Sequence, residues 1–222
     1  MRKFSPLKGF KRTSIYFMSG LCVAALSGCV TLLPDPAPAD NVYTLTAPQL
    51  INTPTQGAPI VRVDRPVAPR SLSGQDIILS PDGRRILIAD QARWSDALPL
   101  LVQKALIDQL GGERSLVAIN TSSGVRADYR LLITIKDFKA VFDNGVDNAP
   151  RVHVHYNASL ATATERELIA VKDFSQQDWA QSHQVSSIVA TKDRLNSVLN
   201  DEIAAWVNQQ ITNSSNVSLA VN

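Results

Sequence analysis

Residues 84–110 read RRILIADQARWSDALPLLVQKALIDQL, and within them the spacing of apolar side chains changes from one period to another. Up to Trp94 the pattern suits a strand. Beyond Ser95 the apolar positions Leu98, Leu101, Val102, Ala105, Leu106 and Leu110 recur three and four apart, the spacing that gathers side chains on one helical face. Ser95 is the expected cap. Pro99 falls in the first turn, where backbone N–H groups lack intrahelical partners, and Gly111-Gly112 stops the run. A strand feeding an amphipathic helix implies a sheet for that helix to cover.

Upstream, DIILS (76–80) and RRILIAD (84–90) flank Pro81-Asp82-Gly83, a turn sequence between two apolar runs, and a hairpin is predicted. VYTL (42–45) and IVRV (60–63) read as short strands separated by a loop. Downstream, LVAI (116–119) is a further strand. In YRLLITIKDF, Tyr129, Leu131, Ile133 and Ile135 share a face, and the parity then shifts to Phe138, Ala140 and Phe142, which predicts a bulge. RVHVHYNASL alternates with Val152, Val154, Tyr156, Ala158 and Leu160 inward, and a hairpin about Glu165-Arg166 leads into ELIAVKDFS. A closing helix carries Leu195, Val198, Leu199, Ile203, Trp206 and Val207 on one side, and NSSNVSLAVN reads as a flexible tail over 213–222. The predicted fold is α/β or α+β: a mixed sheet with two main helices against it, in one domain over 42–212.

The N-terminus says where this domain is sent. Residues 1–12 hold five basic side chains and no acid, and residues 13–27 are largely apolar, a charged-then-apolar pattern typical of an export signal. The apolar run is shorter than the ~20 residues that a transmembrane helix needs. It ends in LSGC (26–29), which resembles a bacterial lipoprotein signal: cleavage falls between Gly28 and Cys29, and the Cys29 thiol takes the lipid. Cys22 would leave with the signal. Position 30 is Val and not the Asp that tends to retain such proteins at the inner membrane, so the resemblance implies the periplasmic face of the outer membrane. Residues 29–41, with prolines at 34, 36 and 38, then form an extended tether of up to roughly 35 Å at ~3 Å per residue.

The 22 basic and 20 acidic side chains give +2 overall, and removal of residues 1–28 leaves −3. That mildly acidic balance gives no reason to expect nucleic acid or anionic headgroups as partners.

Little catalytic chemistry is legible. His153 and His155 form an HVH pair on one strand face, a spacing able to bring two imidazoles to a metal. Their neighbours there, Asn157 and Ser159, are poor additional ligands, and no metal is expected. No G-x-S-x-G, H-E-x-x-H, G-x-x-x-x-G-K-[ST] or G-x-G-x-x-G occurs, and the carboxylates are scattered. Trp94 and Trp206 read as core. No cofactor and no catalytic residue is nominated, and the protein reads as a non-enzyme.

Taken together, the lipidation motif, VYTL, IVRVDRPVAP, RRILIADQARW and SDALPLLVQKALIDQL resemble the ABC-type transport auxiliary lipoprotein family, the group of PqiC-like lipoproteins. The best-matching part is residues 60–110, notably Val61, Val63, Pro66, Trp94, Leu98 and Leu106. The resemblance implies a periplasmic accessory of a transporter whose MCE-domain component spans the periplasm and moves lipids or other hydrophobic molecules. It also implies a ring of identical subunits. The sequence departs from its relatives at SLSGQD, which makes Ser71, Leu72, Ser73, Gly74, Gln75 and Asp76 the candidate partner contacts. Two other readings stand beside it: a lipoprotein that activates a peptidoglycan synthase or helps assemble another envelope machine, and an envelope hydrolase. The tether of about twelve residues is short for reaching through the cell wall, and the missing motifs weigh against the hydrolase.

Overall fold

The computed structural model describes residues 39–46 and 53–220, with side chains through 216. Gly28, Cys29 and the first part of the tether lie outside the described residues. The strands are β1 (Asn41–Tyr43), β2 (Ile60–Val63), β3 (Asp76–Ser80), β4 (Leu87–Trp94), β5 (Val117–Ile119), β6 (Tyr129–Val141), β7 (Arg151–Thr162) and β8 (Leu168–Trp179). The helices are α1 (Leu98–Gly111) and α2 (Val185–Ala220), with a 3-10 turn at Arg70–Leu72.

β6 organises the sheet. Its thirteen residues span roughly 40 Å at about 3.3 Å each, further than a short strand can follow. Along one edge it pairs antiparallel with β7, from Tyr129↔Thr162 to Val141↔Arg151, and β8 adds outside β7. The other edge is shared end to end by two parallel strands. β2 takes the beginning (Val61↔Tyr129, Val63↔Leu131), a bridge at Val67↔Thr134 follows, and β3 takes the end (Leu79↔Ala140, Ser80↔Val141). β5 extends the β2 limb, and β4 then β1 extend the β3 limb. The result is an open mixed sheet with both helices on one face, an α+β arrangement.

The predicted bulge falls between Ile135 and Asp137, so Leu131, Ile133 and Ile135 before it and Phe138 and Ala140 after it all face the helices. β7 alternates as read, with Val152, Val154, Tyr156, Ala158 and Leu160 buried. Trp94 meets Phe138 edge to face at 6.0 Å, Phe138 stacks with Tyr156 at 6.5 Å, and Phe174 meets Trp206 at 5.7 Å. Each such pair adds about 0.5–1.5 kcal/mol beyond its burial.

Four local expectations are corrected. Ser95 does not cap α1: the helix starts at Leu98 with Ala97 as its N-cap, without a side-chain bond, so Ser95 lies two residues too early, and its N–H donates to Tyr43 O at 2.6 Å and fastens β1. Val198 is 38% exposed and off the buried stripe of α2. β8 runs on to Trp179, past the end of ELIAVKDFS. α2 continues to Ala220, so 213–220 are helical and not a frayed tail; no Gly or Pro interrupts residues 185–220, and the Ser214 and Ser215 hydroxyls donate back to Ile211 O.

The sequence reading missed a polar line under α2. Lys192, Asn196 and Asn200, one turn apart, are buried against the sheet. Lys192 Nζ donates to Ile78 O (3.0 Å) and Phe138 O (3.1 Å), where the β3–β6 pairing begins. Tyr156 OH donates to Asn196 Oδ1 at 2.8 Å, whereas Asn196 Nδ2 and Asn200 Oδ1 have no hydrogen bond. A buried cation is costly unless hydrogen-bonded, and Lys192 meets that cost with two backbone carbonyls, one from β3 and one from β6.

Two predictions follow from this line. Tyr156→Phe leaves Asn196 Oδ1 unpaired and should cost about 1–3 kcal/mol in denaturant unfolding, more than a neutral hydroxyl loss would. Burial pulls the Lys192 pKa from 10.5 down to about 7, with Asp137 opposing. Below about 7 both states hold the proton and the penalty is fully present; between about 7 and 10.5 the unfolded chain holds a proton the folded one has released, so stability rises with pH. The melting temperature should therefore climb from pH 6.5 to 9, and Lys192→Met should remove that climb.

Candidate functional site

The segment 71–76 is held by its backbone. Gly74 O accepts from Leu98 N–H and Gln75 O from Trp94 N–H, which fixes the segment against the start of α1. Leu72 is buried in the core, Ser71 is half-buried, and Ser73, Gly74, Gln75 and Asp76 are exposed. Of the six candidate contacts, the structure thus turns four outward and commits Leu72 to packing. A Cβ at Gly74 would meet nothing within 4 Å. Arg93 reaches Gln75 Oε1 at 3.4 Å and Asp40 at 3.3 Å, so the strip also adjoins the first described residues.

The second polar surface is the helix-free face of β6, β7 and β8. On β7, strict alternation turns His153, His155, Asn157 and Ser159 away from the core. Register places His153 opposite Gln177, His155 opposite Ser175 and Asn157 opposite Asp173. With Asp137 at the β6 bulge, the two histidines, Ser175 and Gln177 border a cleft of about 440 Å³. His155 Nε2 lies 3.0 Å from Asp173 Oδ1, and that bond, followed by one from Asn157, holds the Asp173 carboxyl below the usual range. His153 Nε2 is buried without a hydrogen bond, and burial, then the Arg151 charge, lowers its pKa.

This face offers hydrogen bonding to a polar surface more readily than covalent chemistry. Ser175 and His155 sit opposite each other, but no hydrogen bond joins them among the described residues, and a nucleophile needs such a link to its base. No three His, Cys, Asp or Glu side chains among the described residues converge as metal ligands. The HVH pair was legible in the sequence; its carboxylate partner, eighteen residues away on β8, was not.

A histidine titration by NMR checks this geometry. His153 should titrate below 6.5; Arg151→Gln should move it upward and Asp137→Asn downward. His155→Ala should let the Asp173 carboxyl rise toward its ordinary value.

Comparisons with known proteins agree with the fold. A crystal structure of a Xanthomonas campestris protein of the DUF330 family superposes with a TM-score of 0.68 at 17% identity, covering 79% of this chain and 99% of that one. A crystal structure of an uncharacterized protein gives 0.61 at 15%, covering 77% and 99%. An uncharacterized protein of Bradyrhizobium diazoefficiens is 29% identical over 138 residues, 61% of this chain; the match spans about a third (36%) of that relative's length. Among the described residues no helix is long and apolar enough to cross a membrane. The model of the ABC-type transport auxiliary lipoprotein component matches residues 43–204, from β1 through most of α2, and the chain belongs to that family.

Proposed function

We propose that the protein is a non-catalytic accessory of an ABC-type transport system whose MCE-domain component spans the periplasm, and that acylated Cys29 holds it at the inner leaflet of the outer membrane. The cargo is a lipid or another hydrophobic molecule. The observation that carries this reading is the family match over 43–204, which takes in nearly the whole folded domain. The lipidation motif at 26–29 supplies the anchor and the prolines after it a spacer.

The exposed strip Ser73–Asp76 is the proposed contact for the transporter component. It is rigid, because both its carbonyl anchors lie at the β4–α1 junction, and a rigid polar strip loses little freedom on binding. Self-association has a separate surface. Among the described residues β8 pairs with β7 on one side only, and its other edge exposes Leu168 and Val171, the kind of edge that a second copy can extend toward a ring.

In-cell crosslinking of a C-terminally tagged protein, followed by affinity capture and mass spectrometry, tests the partner. Recovery of an MCE-domain protein is expected; recovery of a peptidoglycan synthase in its place would overturn the reading. Gly74→Trp should abolish the crosslink while stability stays within about 0.5 kcal/mol, since the site is open and exposed. Cys29→Ala should release the protein from membranes and abolish complementation of an envelope-permeability defect.

A further inference from the structure

One end of the sheet gathers exposed apolar side chains from three separate connections. The β3–β4 hairpin presents Ile86, Leu87 and Ile88 at 56, 50 and 58% exposure, and the β6–β7 connection presents Val146 at 57%. Trp179, the last residue of β8, is 46% exposed and pairs with Arg151, the first of β7. Register puts all three together, because β4 begins, β6 ends, β7 begins and β8 ends there. Large aliphatic residues clustered at loop tips, with a tryptophan at the margin, are what an interfacial surface uses.

The charges around them match. Arg84, Arg85, Lys136 and Lys139 line a pocket of about 160 Å³ whose walls include Leu72, Ile78 and Ile86. Arg85 is engaged by Asp82 at 2.8 Å and Lys139 by Asp137 at 3.0 Å, but Arg84 and Lys136 have no carboxylate within ion-pair distance among the described residues. The hairpin is also held rigid: Asp82 accepts from the Arg84 and Arg85 amides, and Ser80 Oγ donates to Arg85 O at 2.6 Å. A net charge of −3 for the processed chain conceals this local excess of cations.

Strand direction supplies the third argument. β1 runs parallel to β4, Asn41 beside Ala92 and Tyr43 beside Trp94, so the chain enters β1 from the side on which β4 leaves the hairpin. Ala39 and Asp40, the first described residues, and the apolar hairpin share one side of the β4 limb.

We infer that this end of the sheet is a membrane-contacting face: Ile86, Leu87, Ile88, Val146 and Trp179 enter the interfacial layer of a phospholipid leaflet, and Arg84 and Lys136 take the phosphate of an anionic headgroup. The inference rests on the anchored reading for the distance to the bilayer. Its chemistry is independent of that reading. With the acyl chains fixing attachment, the face sets which way the domain stands on the leaflet.

The test uses the full acylated protein in vesicles of phosphatidylcholine with one quarter phosphatidylglycerol, and in phosphatidylcholine alone. Loss of Cys22 with the signal and acylation of Cys29 leave Leu87→Cys as a unique thiol for an environment-sensitive fluorophore, with Val125→Cys, exposed in the connection that leads into the start of β6 at the other end of the sheet, as control. At position 87 the probe should shift blue in the anionic vesicles and be quenched by lipids carrying shallow nitroxides; at 125 it should stay in water. Arg84→Gln and Lys136→Gln should each lower the inserted-to-free ratio roughly fivefold. A probe at 87 that stays open to aqueous quencher overturns the inference, as does one shielded without nitroxide quenching, which would place a second copy there. The same blue shift with inorganic phosphate and no vesicles would also overturn it, in favour of a small-anion site. Vesicle flotation separates the two readings: floating with position 87 in water removes only this inference, and failure to float removes the anchor as well.

Discussion

β6 must satisfy neighbours along its whole length, and no single early strand is long enough to do so. β7 solves the problem on one side with a full-length hairpin. On the other side the four residues of β2 and the five of β3 divide the edge between them, with one bridge at Val67 in the gap. Two limbs result. The helices cover different strands, α1 chiefly β2 and β5, and α2 chiefly β7 and β8. Where β3 takes over, the Lys192 ammonium reaches one carbonyl from β3 and one from β6 and clasps the two strands together.

Much of this was legible in the sequence because it rests on local periodicity. The change of period at Ser95, the parity shift after Ile135 and the alternation of β7 are each carried by consecutive residues, and each corresponds to an observed element. Failures arose where a distant partner decides. Ser95 looks like a cap, yet the helix starts at Leu98, whose amide donates to Gly74 O on a distant segment. Lys192, Asn196 and Asn200 stand at four-residue spacing beside Leu195 and Leu199, so their direction could have been read; that Ile78, Phe138 and Tyr156 wait for two of them could not. Likewise His155 was visible and Asp173, diagonally across on β8, was not, since register between two strands is a property of the pair.

The two faces of the sheet have different physical characters. The helix-covered face is packed, with aromatic pairs linking β4, β6 and β7 to one another and β8 to α2. The open face of β6, β7 and β8 is polar, and its histidines are held by neighbours without being organised into a nucleophile–base pair. Charge is unevenly distributed as well: the net value for the processed chain describes no particular region, and among the described residues Arg84 and Lys136 have no carboxylate within ion-pair distance, whereas Arg85 and Lys139 beside them do. Whole-chain charge is therefore a poor guide to what a small domain's surface attracts.

α2 has thirty-six residues and so spans about 54 Å at 1.5 Å per residue, longer than β6. It begins near the end of the sheet that bears the hairpin, where Lys192 grips β3 and β6, and runs toward the other, where Tyr129 lies 3.5 Å from Ser214. Without Gly or Pro it has no built-in hinge. Mechanically, then, it is a strut: a push on its C-terminal turns is delivered, with little lost to bending, to the lysine that clasps β3 to β6.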